Sequence, residues 1–264
     1  APRVLNTDPG VCGATLGTIT AAATDNCGVQ SAIPARGDGL GMGEPFPVGT
    51  TTITWTITDI HGNTSSGTET VRVEDHQAPS IAAPAAVNTV TGPGARICGA
   101  VISDAALGQP TASDNCSVTV TRSGVPDGNV FPVGTTVVTW TATDPSGNAL
   151  SATQAVTVRD NTPPTLTVPA AVALGTGPNA TICGLVVPDA TLGAATASDN
   201  CSVILTRTGV PAGNLFPKGT TTVTYTATDP SGNTVTLTQA VTITDTTPPR
   251  ITSANISRAT DAGL

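Results

Sequence analysis

Six cysteines, two histidines and a recurring set of aspartates are the side chains of this sequence best placed to do chemistry. The cysteines are Cys12, Cys27, Cys98, Cys116, Cys183 and Cys201, and every second one closes the triplet Asp-Asn-Cys. Paired cysteines in a chain whose only lysine is Lys218 point to disulfides formed in an oxidising compartment. Six cysteines allow many pairings, and repetition of an independent unit favours the local ones: Cys12 with Cys27, Cys98 with Cys116 and Cys183 with Cys201. Each local pair would close a loop of roughly 15 to 18 residues and stabilise its unit by about 3 kcal/mol. Zinc is the competing use of cysteine, but the close Cys-x-x-Cys spacing and supporting histidines of a zinc site are missing.

The histidines, His61 and His76, have no serine or cysteine nucleophile context, so no catalytic residue is assigned and the chain is not expected to be an enzyme. Asp59, Asp144 and Asp229 fall in a recurring turn, and Asp75, Asp160 and Asp245 fall at the ends of recurring units. Calcium takes six to eight oxygen ligands, which makes Asp75, Asp160 and Asp245 calcium candidates and calcium the one cofactor to consider. The competing reading is that each aspartate satisfies the backbone of its own turn without a metal. Five Asn-x-Ser/Thr triplets, at Asn63, Asn115, Asn179, Asn200 and Asn255, fit the glycosylation acceptor pattern, at a frequency that chance would supply in so Thr-rich a chain.

These residues are carried by a repeat. Phe46-Pro47-Val48-Gly49-Thr50-Thr51 recurs from Phe131 and from Phe216, a shift of 85 residues each time, and Trp55, Trp140 and Tyr225 keep the same shift. That period is too long for a solenoid turn and suits one small sandwich domain. After the Phe-Pro turn, Ile53, Trp55 and Ile57 alternate with threonines, as do Val138, Trp140 and Ala142, and Val223, Tyr225 and Ala227. A period of two puts one face inward and leaves threonine on the other. Asp-Pro-Ser-Gly-Asn at 144–148 and 229–233, with Asp59-Ile60-His61-Gly62-Asn63 in the first copy, makes the hairpin turn. The returning strand carries Leu150, Ala152, Val156 and Val158, and in the third copy Val235, Leu237, Val241 and Ile243. It stops at Ala78-Pro79, Pro163-Pro164 and Pro248-Pro249, where proline ends the ladder and makes short, stiff junctions.

In this order the motifs resemble the hyalin repeat (HYR) family of immunoglobulin-like modules. The resemblance covers nearly the whole chain and implies an all-β protein: three tandem immunoglobulin-like β-sandwich repeats of about 85 residues, used in extracellular cell adhesion or as spacers. The repeats are expected at 1–78, 79–163 and 164–248, with 249–264 left over.

Composition agrees with that class and excludes others. Charged residues make up 11% and aromatics 2%, and the net charge of -8 leaves no basic stripe for nucleic acid. No apolar run is long enough to span a membrane. The chain reads as extracellular, secreted or at a cell surface. Loops 34–45 and 122–130 are where a ligand or glycan partner, whose identity the sequence does not give, would be met.

The ends complement each other. Aligned on the cysteines, the first copy lacks the opening strand that residues 79–86 supply to the second, while Arg250, Ile251, Thr252, Ser253, Ala254, Asn255, Ile256 and Ser257 form an opening strand with no domain behind it. Donated to the first repeat of a neighbour, that strand would build a head-to-tail filament by self-association, because such an interface does not close on itself. The alternative is an adhesive or spacer segment of a larger protein.

Overall fold

Alternation of threonine with apolar residues produces the strands that hold the structure together. Along Gly49–Asp59 the side chains of Thr51, Ile53 and Trp55 are buried while Thr52, Thr54 and Thr56 face solvent. The computed structural model describes residues 2–251 and divides them into two compact units. One comprises Ala1–Thr89 with Ala100–Val158, and the other comprises Val90–Gly99 with the chain from Arg159 onward.

In the first unit, the first repeat builds a four-stranded sheet in the order Arg3–Asn6, Thr64–Glu74, Gly49–Asp59, Val29–Arg36. Arg3–Asn6 pairs in parallel and the other neighbours are antiparallel. The second repeat repeats this order with Val87–Val90, Ala149–Arg159, Gly134–Thr143 and Thr119–Ser123. In the second unit the third repeat does so again with Val172–Gly175, Thr234–Thr244, Gly219–Thr228 and Ile204–Thr208. Three such sheets make the chain an all-β array of three tandem repeats.

Each hairpin is closed as its residue types require. Asp59 accepts hydrogen bonds from the backbone N–H groups of His61 and Asn63, both at 2.8 Å, and from the Asn63 side-chain amide at 2.7 Å. Gly62 supplies the positive φ of 84° that closes the turn. Asp144 with Asn148, and Asp229 with Asn233, make the same closure. These bonds hold the Asp59 and Asp144 carboxyls below the usual range; for Asp144 they do so against burial, which acts to raise it. The three turn aspartates are therefore Asx-turn residues.

Phe46, Phe131 and Phe216 are fully buried, one in each of three separate cores. Trp140 packs in the second core, and its indole N–H donates to Gln154 at 3.2 Å. The Gln154 amide donates in turn to the carbonyls of Ala85 and Leu107, each at 2.8 Å. Gln239 repeats this with Tyr225, Ala170 and Leu192. In the first repeat the position belongs to Glu69, which accepts from Trp55 and faces Arg3 at 3.5 Å. Leu150 and Leu237, expected inside on their alternation, are 47% and 40% exposed, because their strands run past the core before the buried phase begins at Gln154 and Gln239.

Opposite the sheets lie short two-stranded ribbons. Ser80–Ala82 pairs with Thr111–Ser113, and Thr165–Thr167 pairs with Thr196–Ser198. These opening strands press Ile81 and Leu166 onto their cores. Among the described residues the first repeat has no such strand, and its counterpart of Thr111–Ser113, residues 22–24, is unpaired. Single-turn helices at Asp104–Leu107 and Asp189–Leu192 plug Leu107 and Leu192 into the cores of repeats two and three. The first repeat has no such helix among the described residues, its segment between the two cysteines being shorter.

Candidate functional site at the repeat junctions

The strand order determines where the cysteines go, and it overturns the local pairing. Cys12 lies just past Arg3–Asn6, whose last residue pairs with Glu74 at the end of Thr64–Glu74. Cys27 lies just before Val29, which pairs with Asp59 beside the start of that same strand. The two cysteines thus sit at opposite ends of an 11-residue strand, roughly 30 Å apart at the usual rise. A disulfide needs Cα atoms within about 7 Å. Cys12 instead bonds Cys116, and Cys98 bonds Cys201, with Cα atoms 4.6 Å apart in both and sequence separations of 104 and 103. The expected pairs Cys12–Cys27, Cys98–Cys116 and Cys183–Cys201 do not form, and Cys27 and Cys183 are free and exposed.

Each bridge therefore joins the loop after the first sheet strand of one repeat to the Asp-Asn-Cys turn of the next. A polar network surrounds it. Asp75, 5% exposed, accepts on Oδ1 from Thr7 Oγ1 at 3.1 Å, from the Gln77 N–H at 3.1 Å and from Asn115 Nδ2 at 3.3 Å. Asn115 also donates to the Val11 carbonyl, and Asn148 reaches from the hairpin turn to the Asp75 carbonyl at 3.0 Å. Asp114 accepts from the Cys116 N–H at 3.1 Å, which shapes the turn that presents the cysteine.

The second unit repeats the arrangement. Asp160, 6% exposed, accepts from Thr91 Oγ1, the Thr162 N–H and Asn200 Nδ2. Asn200 donates to the Ile97 carbonyl, Asn233 donates to the Asp160 carbonyl, and Asp199 accepts from the Cys201 N–H. Burial pushes the Asp160 carboxyl up, and the hydrogen bonds from Thr162, Thr91 and Asn200 outweigh it, leaving the carboxyl below its usual range.

Asp245 accepts from the Thr247 N–H at 3.0 Å and from Thr176 at 3.2 Å, which hold its carboxyl low. It is exposed, and no Asp-Asn-Cys turn meets it among the described residues. Asp25 is the mirror case: it accepts from the Cys27 and Gly28 N–H groups, and it too is exposed. Of the proposed polymerisation strand only Arg250 and Ile251 can be placed, and Thr252, Ser253, Ala254, Asn255, Ile256 and Ser257 lie outside the described residues.

Several features had no clear sequence signal. Arg36, its side chain fully buried, grips Asp38 through two hydrogen bonds, reaches the carbonyls of Gly41, Glu44 and Pro45, and stacks 3.8 Å from the Phe46 ring centre. Loop 34–45 is therefore pinned from beneath. His76 lies 3.2 Å from Glu74, and His61 sits exposed in its hairpin turn. Asn115 and Asn200 use their amides to hold the junctions, so two of the glycosylation triplets are structural.

With this geometry established, the relatives are informative. The HYR domain family model matches residues 74–158 and 159–243. The chain belongs to the HYR domain family. It is 40% identical over 234 residues to hyalin of Lytechinus variegatus, an alignment covering 81% of this chain and 40% of that protein. Against hyalin of Strongylocentrotus purpuratus it is 38% identical over 263 residues, covering 91% of this chain and 20% of the relative. A Mus musculus protein, "Sushi, von Willebrand factor type A, EGF and pentraxin domain-containing protein 1", is 34% identical over 180 residues, covering 65% of this chain and 5% of that one. The chain thus spans less than half the length of the hyalins it matches. It is an extracellular HYR array, and among the described residues no helix is long and apolar enough to cross a membrane.

The pairing is directly checkable. Non-reducing peptide mapping of the HYR array should recover Cys12 linked to Cys116 and Cys98 linked to Cys201. Recovery of Cys98 linked to Cys116 would instead restore the local pattern.

Proposed function

We propose that this HYR array is a head-to-tail structural element of an extracellular fibre or layer, with the two ends of the chain carrying complementary halves of the same junction. The observation that carries this reading is the pair of free cysteines. Cys183 occupies the position that Cys12 and Cys98 use to reach forward, and Cys27 occupies the position that Cys116 and Cys201 use to receive. Cys183 of one copy and Cys27 of the next would complete the pattern.

The opening strand supports the same register. Ile251 is the counterpart of Ile81 and Leu166, which pack on their cores, yet it is 94% exposed. The first repeat, for its part, has a groove of about 460 Å³ beside Trp55 and the unpaired residues 20–24. Strand addition there by Arg250–Ser257 of a neighbour would pair residues 22–24 and cover the groove, in the arrangement that Ser80–Ala82 has with Thr111–Ser113.

A second reading is favoured by the short span of the relatives that the chain covers: an adhesive or spacer segment of a longer protein, whose flanking repeats take up Cys27 and Cys183. One preparation separates the two. Mild oxidation of the purified chain should give a ladder of covalent multimers containing a Cys183–Cys27 linked peptide. Cys27→Ser, or deletion of everything after Pro249, should stop it. A chain that stays monomeric under oxidation, or a deleted form that still makes fibres of the same repeat, removes the head-to-tail reading.

A further inference from the structure

At each junction several oxygens are buried and accept nothing. Asp75 Oδ2, Asp114 Oδ1 and Asn115 Oδ1 are in this position in the first unit, and Asp160 Oδ2, Asp199 Oδ1 and Asn200 Oδ1 are in the second. Leaving one buried acceptor unsatisfied is costly, and a charged one more so. Here the same three orphans recur at both junctions. Asp75 and Asp114 offer carboxylate oxygens within 4.8 Å of each other, as do Asp160 and Asp199, with Asp75 and Asp160 each more than nine-tenths buried. The Asn115 amide nitrogen has two acceptors, the Val11 carbonyl and Asp75, which fixes the orientation of the amide and leaves its oxygen as the orphan. None of these carboxylates has an ion pair with a Lys or Arg among the described residues, although Arg96 lines the groove beside Asp199.

We propose that each junction binds one divalent cation of the calcium type, held by Asp75, Asp114 and Asn115 in the first unit and by Asp160, Asp199 and Asn200 in the second. Two carboxylates and an amide carbonyl are the hard oxygen donors such an ion takes, with water completing its coordination. A thiophilic metal does not fit, because the nearby sulfurs of Cys116 and Cys201 are in disulfides and offer no thiolate. The ion would neutralise two facing carboxylates, one from each of two successive repeats, and so hold together the segments that the bridge joins. Asp245 fits the argument from the other side. It has the same Asx turn, but among the described residues no second carboxylate meets it, and it is exposed rather than buried. The sites do not depend on head-to-tail assembly, since each is complete within one chain.

The test is equilibrium dialysis of the intact, disulfide-bonded chain, stripped with chelator and titrated with CaCl₂. Two equivalents per chain are expected. Asp114→Asn and Asp199→Asn should each lose one, the double variant should lose both, and Asp245→Asn should lose neither. Asn keeps the acceptor that Asp114 and Asp199 offer to the following N–H, so the turn survives. As a second measurement, the melting temperature of the unmutated chain should rise with added calcium, as for any ligand bound only by the folded state. Absence of bound calcium at millimolar concentration, or binding unchanged in the double variant, would overturn the proposal.

Discussion

Glutamate in place of Gln154 should destabilise the second repeat by about 3–5 kcal/mol at neutral pH, the usual range for leaving a buried charge without its partner. Gln154 is 1% exposed and its amide gives both hydrogens away, to Ala85 and Leu107. A carboxylate of the same shape keeps the acceptor for Trp140 and turns its other oxygen on two carbonyls, so two hydrogen bonds become two repulsions in a dry core. Burial and those carbonyls raise the folded-state pKa of the new carboxyl above the unfolded value of about 4.3. The defect should therefore be smallest below that pH, where both states are protonated, and grow as pH rises through it. The first repeat shows what glutamate needs there. Glu69 meets Arg3 and accepts from the Trp55 indole, so both of its oxygens face donors. Glu69→Gln should accordingly shift stability by less than about 1 kcal/mol, the scale of an exposed ion pair. Urea unfolding followed by tryptophan fluorescence at pH 4 and pH 7 would measure both. A small, pH-independent effect at Gln154 would mean that this buried network contributes little.

That network also marks the limit of what the sequence discloses. Period-two alternation locates the strand Gly134–Thr143 and its turn, because threonine and apolar residues differ strongly in hydrophobicity and Asp144, Gly147 and Asn148 have few other roles at that spacing. Gln154 and Gln239 share the phase of Val156 and Ile243's neighbour Val241, but a polar side chain at an inward position is invisible to a hydrophobic pattern, while Leu150 and Leu237 imitate core. The helices Asp104–Leu107 and Asp189–Leu192 are one turn each, too short for a 3.6-residue period to register. Asp75 and Asp160 were legible as junction residues, and Asp114, Asn115, Asp199 and Asn200 were not, because their partners lie about 40 residues back and in a different repeat. The cysteines failed for a related reason. Spacing ranks loops by length, but it is strand direction that separates Cys12 from Cys27, and the parallel pairing of Arg3–Asn6 with Thr64–Glu74 appears only once the sheet is assembled.

Because the bridges cross between repeats, cutting one should weaken the two repeats it joins. Consider the third repeat unfolding while the second stays folded. Its unfolded chain remains tethered at Asp160 and, through Cys98, at Cys201, which closes a loop of roughly 40 residues and stabilises the folded repeat by about 4 kcal/mol in the chain-entropy model. Unfolding of the second repeat against a folded third closes a longer stretch, and the logarithm makes the figure nearly the same. A paired Cys98→Ser and Cys201→Ser variant should therefore lose about 4 kcal/mol from each of these two repeats. For domains of this size that is a fall in melting temperature on the order of 20 °C. Cys12–Cys116 remains intact in the variant, and calorimetry should show the transitions of the second and third repeats lowered. Thiol titration under denaturing conditions distinguishes the pairing schemes independently of stability. Bridges across repeats leave two free thiols in monomeric protein, Cys27 and Cys183, and still two in the variant. Local pairs would leave none in the parent and two in the variant, Cys116 and Cys183, and a parent chain without free thiols would overturn the crossed arrangement.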